Sequence, residues 1–229
     1  MKVLIFGATG MVGQAALREC LLDPGIAAVK TIGRSETAGT HPKVRNLVHP
    51  DLFHYSDAED EMRGFDACFF CLGVSSAGMS EPDYERVTYG ITVAAAETLS
   101  RLNPAMTFIY VSGAGTDSSE KGRTMWARVK GKTENALTRL PFKAVYLFRP
   151  AAIQPVHGEQ SKTTSYRIGY TLTKPLLPLL RWIFPGHVLT TEEIGRAMIQ
   201  VARYGAPKRI LESPDIRECA KLAASRPST

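Results

Sequence analysis

The chain has 229 residues, 44% of them hydrophobic and 22% charged, which are ordinary globular values that exclude a disordered or fibrous protein and suit one α/β domain with at most a short appendage. Lys and Arg total 28 against 22 Asp and Glu, a net charge of +6, yet the cations are scattered and form no basic run of the kind a nucleic-acid surface needs. Four dispersed cysteines are too few for a disulfide scaffold, no secretory leader opens the chain, and a cytoplasmic protein is expected.

Lys2–Gly7 is a short β-rich apolar run, long enough for one buried strand. A helix is expected from Met11 to Leu22, stopped by Asp23-Pro24-Gly25. Ala28–Gly33 reads as a second strand, Val44–His49 as a weaker third, and an acidic helical segment around Asp57–Met62 precedes a fourth strand at Asp66–Leu72. Ser80 to Leu102 reads as one long helix with Val87, Ile91, Ala94, Ala95, Leu99 and Leu102 on a single stripe. Met106–Ser112 is a fifth strand, Met125–Leu140 a helix ended by Pro141, and Lys143–Phe148 a sixth strand. Strands alternating with such helices require a doubly wound parallel sheet covered on both faces, spanning residues 1–150.

After Pro150 the rhythm changes. Residues 151–222 are read as a small cap and C-terminal helices packed on the same domain, and 223–229 as a frayed tail. Thr190-Thr191-Glu192-Glu193 supplies a capping box for a helix whose buried face is Ile194, Ala197, Met198 and Val201. A last strand is placed at Arg209–Glu212. Pro175–Phe184 is the most apolar stretch of this half, but it is too short to span a bilayer and is interrupted by proline and Arg181. It is read as packing on the core or on a second subunit, with a substrate-pocket wall or a membrane-surface contact as the alternatives, so a homodimer is compatible with the chain, and no integral membrane segment is expected.

Gly7-Ala8-Thr9-Gly10-Met11-Val12-Gly13 lies where the first strand turns into the first helix. Gly7 permits the tight turn, Gly10 lets a pyrophosphate approach the backbone, and Gly13 lets the helix pack on the strand. The helix start then offers unpaired N–H groups to phosphates. Gly33-Arg34-Ser35 ends the second strand, where dinucleotide folds place a carboxylate on the ribose 2′-hydroxyl of NAD. Arginine cannot accept from that hydroxyl, whereas its fork suits a 2′-phosphate, so NADP(H) is preferred over NAD(H); the other reading of Arg34 is a solvated loop cation.

With Ile32-Gly33-Arg34-Ser35, Asp51-Leu52, Cys71-Leu72-Gly73, Tyr110-Val111-Ser112, Val129-Lys130-Gly131 and Phe148-Arg149-Pro150, this glycine spacing resembles the extended and atypical branches of the short-chain dehydrogenase/reductase superfamily. The nearest look-alikes are NmrA-like, isoflavone-reductase-like, Tat-interacting oxidoreductase-like and NAD-dependent epimerase-like proteins. The resemblance implies that Asp51 accepts from the adenine amino group, an N-cap for the acidic segment being the alternative, that Leu52 and Leu72 belong to the cofactor site, and that Gly73 allows close backbone approach to the adenosine ribose or the pyrophosphate. It also implies catalytic roles for Ser112, which polarises a carbonyl, and Lys130, which holds the nicotinamide ribose. The expected proton-donating tyrosine four residues before Lys130 is Trp126. Indole is donor-only and does not titrate near neutrality, so it cannot shuttle a proton. Tyr166, Tyr170, Tyr89 and Thr124 are candidate replacements, and nothing in the sequence selects among them.

Cys68 and Cys71 have CxxC spacing, but on a strand residues three apart face opposite ways, so they are read as core. The five histidines show no ligand spacing and no metal is assigned; His49 and His54 are read as surface residues. The resulting expectation is an NADP(H)-binding oxidoreductase or epimerase-like protein for a small metabolite. The alternative is a non-catalytic NADP(H)-binding regulator or assembly partner.

Overall fold

The computed structural model describes residues 1–37, 39–159 and 188–225. In chain order the elements are β1 (Lys2–Phe6), α1 (Met11–Leu22), β2 (Ala28–Gly33), β3 (Val44–Val48), a short 3-10 turn (Glu59–Met62), β4 (Ala67–Phe70), α2 (Glu81–Glu85), a π-helical turn (Arg86–Gly90) and α3 (Ile91–Leu102). There follow β5 (Thr107–Val111), α4 (Met125–Leu137), β6 (Ala144–Arg149), β7 (Ala152–Gln154), β8 (Val188–Thr190), α5 (Thr191–Tyr204), β9 (Ile210–Glu212) and α6 (Ser213–Ser225).

Seven strands pair in parallel in the order β3-β2-β1-β4-β5-β6-β9. Strand alternation divides the interior into two cores. Val3, Ile5, Phe69, Ile109 and Phe148 pack beneath α1, α5 and α6. Leu4, Phe6, Phe70, Phe108 and Leu147 face the other way, against α3 and Met62. On that second face Phe6 and Phe70 stack with centroids 5.0 Å apart, and Phe70 and Phe108 at 5.9 Å, a row of rings crossing three strands. The doubly wound architecture expected from the strand–helix rhythm is present.

The long helix expected from Ser80 is interrupted. Ser80 caps α2 by accepting from the Asp83 N–H at 3.3 Å, and the π turn then rotates the buried stripe onto Tyr84, Thr88 and Thr92. Val87 and Ile91, expected on the stripe, are only partly buried. The turn brings Gly90 close under Phe53, where a Cβ would lie 3.2 Å from the ring. Tertiary contact thus sets the local helix type.

Thr190 caps α5 in the expected box, accepting from Glu193 N–H while Glu193 accepts from the Thr190 N–H. All four expected core residues of α5 are fully buried. The helix lies on α1, with Arg196 on buried Glu19 at 3.2 Å and a bidentate Arg203–Asp23 pair. Two features in the second half were not anticipated. β7 and β8 form a separate parallel pair, and α6 runs through residues 223–225, which were expected to be tail. Ser213-Pro214, a proline one residue into the helix, is the start signal for α6. The apolar Pro175–Phe184 stretch and most of the expected cap lie outside the described residues.

Candidate functional site

β1 delivers the chain to the carboxyl edge of the sheet, and the order reverses between β1 and β4, so a crevice opens there. Gly7 adopts a left-handed φ of +75°, and a Cβ on it would stand 2.7 Å from the Leu72 backbone. A Cβ on Gly13 would stand 2.1 Å from the Gly7 carbonyl oxygen. Both glycines are therefore required by the fold itself. Gly10 differs: its Cβ would meet only the Gly7 oxygen, at 3.4 Å, an ordinary contact. Gly10 is also the N-cap of α1 and no side chain caps that end, so the first-turn N–H groups face the crevice without a built-in acceptor.

The crevice holds about 380 Å³. Its lining includes Gly7, Ala8, Thr9, Gly10, Met11 and Val12 from the loop and helix start, Arg34 and Ser35 from the end of β2, and Leu52, Leu72 and Gly73. Gly13 lies beneath the loop rather than in the wall. Arg34 is exposed and has no ion pair among the described residues.

Asp51 sits beside Leu52 with its carboxylate already engaged: His54 Nδ1 is 2.8 Å from one oxygen and the Phe53 N–H donates to the other at 2.8 Å. The His54 bond, then the Phe53 N–H, hold this carboxyl below the usual aspartate range. Asp51 does not cap the acidic segment, whose N-cap is Ala58, because the bond to Phe53 closes a local turn instead. The surface reading of His49 is corrected too. Its ring is buried, 2.5 Å from the Asp51 carbonyl and 3.0 Å from Asp57 Oδ1, since the turn after β3 folds back over it. His54 is exposed.

Cys68 and Cys71 belong to opposite cores, as strand alternation requires, and burial pushes the Cys71 thiol up to about 12. Among the described residues no cluster of three or more His, Cys, Asp or Glu side chains is placed to hold a metal ion.

At the other half of the carboxyl edge, Lys130 donates an ammonium N–H to the Ser112 carbonyl and stands near Gly113. Burial lowers its pKa to about 8. Ser112 is buried, and its hydroxyl donates to Glu134 Oε1 at 2.6 Å. A serine that polarises a carbonyl must donate its proton to the substrate, and this proton is committed to a carboxylate. Trp126 is half-buried, and a Cβ on Gly115 would lie 3.5 Å from the edge of its indole, which therefore packs on the loop after β5.

Of the candidate proton donors, Tyr89 lies on the π turn in a separate groove with Glu85 and Arg86, its ring 4.8 Å from the Lys132 ammonium. Lys132 is two positions from Lys130 and faces away from it. Thr124 is exposed at the start of α4 and caps nothing with its side chain. Tyr166 and Tyr170 lie outside the described residues.

Sequence reasoning missed Glu134 here, and took Arg149 and Gly131 only as marks of the resemblance without a structural role. Glu134 and Arg149 form a buried bidentate ion pair, and Gly131 lets α4 touch the β5–α4 loop, a Cβ there falling 1.7 Å from the Asp117 carbonyl oxygen. The Lys130–Glu134 spacing, four residues apart on one helix face, was the available signal.

No family model matches the chain. Among curated proteins it is 29% identical over 164 residues to "Protein FMP52-2, mitochondrial" of Scheffersomyces stipitis, covering 70% of this chain and 69% of that one. It is 26% identical over 155 residues to "Protein HTATIP2" of Rattus norvegicus, covering 66% and 62%. Among solved structures, the dTDP-glucose 4,6-dehydratase DesIV of Streptomyces venezuelae, with NAD and TYD bound, superposes with a TM-score of 0.68 at 16% identity over 97% of this chain and 80% of that one. The Bordetella bronchiseptica enzyme WbmF in complex with NAD+ gives 0.65 at 15% identity over 97% and 77%.

The cytoplasmic expectation is corrected by these relatives, since FMP52 proteins of several fungi are named mitochondrial. Free cysteines separate reducing from oxidising surroundings but do not tell one reducing compartment from another. The chain thus shares the Rossmann-like α/β fold of these enzymes and is similar in sequence to the FMP52 and HTATIP2 proteins.

Proposed function

We propose that the protein binds NADP(H) in preference to NAD(H) and acts as an oxidoreductase or epimerase-like protein on a small, uncharged or weakly acidic metabolite. The observation that carries this reading is Arg34, an exposed guanidinium without an ion pair among the described residues, lining the same crevice as an uncapped helix start. An anion at each satisfies both. The space over Gly10, which a Cβ would occupy, suits a pyrophosphate on the Met11 and Val12 N–H groups, and the Arg34 fork with the Ser35 hydroxyl suits a 2′-phosphate. When bound, the nicotinamide supplies or accepts a hydride. Lys130, across the edge of the sheet, holds the nicotinamide-side ribose through the N–H groups not used on Ser112.

A second reading is a non-catalytic NADP(H)-binding regulator. It is favoured by the indole at Trp126 and by the Ser112 proton resting on Glu134, which together leave no titrating hydroxyl beside Lys130 among the described residues. The cofactor reading is tested by titrating NADPH and NADH against the parent and Arg34→Asp. The parent binds NADPH more tightly and the variant reverses the order. Equal affinities in the parent refute the proposal.

A further inference from the structure

We infer that Ser112 is a positioning residue rather than a carbonyl-polarising one: anchored by Glu134 and Arg149, it fixes the backbone carbonyl that seats the Lys130 ammonium at the nicotinamide half of the cofactor site. The inference rests on the NADP(H) reading above and concerns how this chain prepares for that cofactor. Because the sheet order reverses between β1 and β4, a dinucleotide lies along the carboxyl edge with adenosine over β1 and β2. Its other half then lies over β4, β5 and β6, where Ser112 and Lys130 stand.

Ser112 is held at three points. Its N–H donates to the Phe148 carbonyl at 2.9 Å, its hydroxyl to Glu134, and its own carbonyl receives Lys130. Glu134 is 1% exposed, and its carboxylate gathers the Ser112 hydroxyl, the Arg149 Nε at 3.0 Å and a second Arg149 nitrogen. Arg149 reaches on to the Ser118 hydroxyl at 2.6 Å. The ends of β5 and β6, the following loop and α4 are thereby tied at one buried centre. Glu134 and Arg149 neutralise each other, as a buried charge must be neutralised. Lys130, one helical turn before Glu134, is left as a cation whose hydrogen bond goes to a carbonyl. An ammonium has three N–H groups, so among the described residues two remain for acceptors on a ligand.

The test compares NADPH with 2′,5′-ADP, which carries the adenosine half alone and does not extend to Lys130. Losing a hydrogen bond to a charged group in the scaffold, Ser112→Ala should weaken NADPH about three- to tenfold while leaving 2′,5′-ADP unchanged. On a Lys130→Met background the same substitution should cost nothing further, because its effect passes through the lysine. Glu134→Gln should follow Ser112→Ala; if that variant does not fold, the Ser112 series decides alone. Equal weakening of both ligands shows a general distortion and overturns the inference. So does unchanged NADPH affinity with turnover lost, which marks direct contact with substrate, and so does full additivity with Lys130→Met. A parent that binds neither ligand overturns the cofactor reading itself, and the inference with it.

Discussion

Gly13→Ala and Gly10→Ala separate what the glycine loop does for the fold from what it does for a ligand. At Gly13 the new Cβ would stand 2.1 Å from the Gly7 oxygen, 2.7 Å from its carbonyl carbon and 2.8 Å from Ala8 Cα, all backbone atoms. Ordinary contact begins near 3.4 Å, so α1 must retreat by about 1.3 Å from the end of β1. It has no room to do so. On its far side α5 approaches through Gly195, where a Cβ would already lie 3.0 Å from the Ala15 oxygen. Overpacking of this kind costs about 1–3 kcal/mol, and backbone neighbours place it at the upper end. The helix propensity gained on replacing glycine returns about 1 kcal/mol. A net loss near 2 kcal/mol lowers Tm by roughly 4–8 °C in a chain of this size.

Gly10→Ala meets a single atom at ordinary distance, so its Tm should stay close to that of the parent. Its methyl group fills the space over the α1 N-terminus, and NADPH affinity should fall at least tenfold, a loss of about 1.4 kcal/mol. Thermal melts with and without NADPH, together with a titration, read both quantities for both variants. A Gly13→Ala protein as stable as the parent would refute the packing argument, and undiminished NADPH binding by Gly10→Ala would refute the assignment of the pyrophosphate to this loop.

Other perturbations probe the second half of the site. Trp126→Tyr should leave cofactor affinity nearly unchanged and create or raise reduction of small aldehydes or quinones, read as NADPH consumption; a parent that is already fast and a slower tyrosine variant would show that another group supplies the proton. Lys130→Met should melt no lower than the parent at pH 7, because burial holds the lysine pKa at about 8 against an ordinary 10.5. Between those values the unfolded chain binds the extra proton, so the parent gains stability relative to the methionine variant as pH rises from about 8 toward 10.5. Melts across that range check the sign, and a parent that loses ground instead would contradict the burial of the ammonium. The same variant should bind NADPH more weakly at neutral pH.

Much of the architecture was legible in the residues. Short β-rich runs such as KVLIF, separated by helices of three or four turns, demand parallel pairing, and the seven strands of the main sheet fall within a residue or two of those read from the pattern. The glycine loop and Arg34 were legible because each glycine and each charge has a local reason to be there. The π turn at Arg86–Gly90 was not, since the pattern of Val87 and Ile91 satisfies an uninterrupted helix equally well, and only the approach of Gly90 to Phe53 distinguishes the two. His49 was misread for the same reason: a histidine beside a proline in a loop looks solvated until the Asp51–Asp57 turn closes over it.

The sequence by itself determined the fold class, the glycine loop at the first strand–helix turn and the absence of a tyrosine before Lys130, because these depend on residue identity at short spacings along one strand, one turn or one helix face. The tertiary structure alone decided where the Ser112 hydroxyl gives its proton. Its hydroxyl lies within reach of Glu134, 22 residues away, and Arg149 completes the group from the next strand. A serine at the end of a strand has one proton and several directions in which to give it. Which acceptor is nearest is a property of packing between β5, α4 and β6, and no local pattern encodes it.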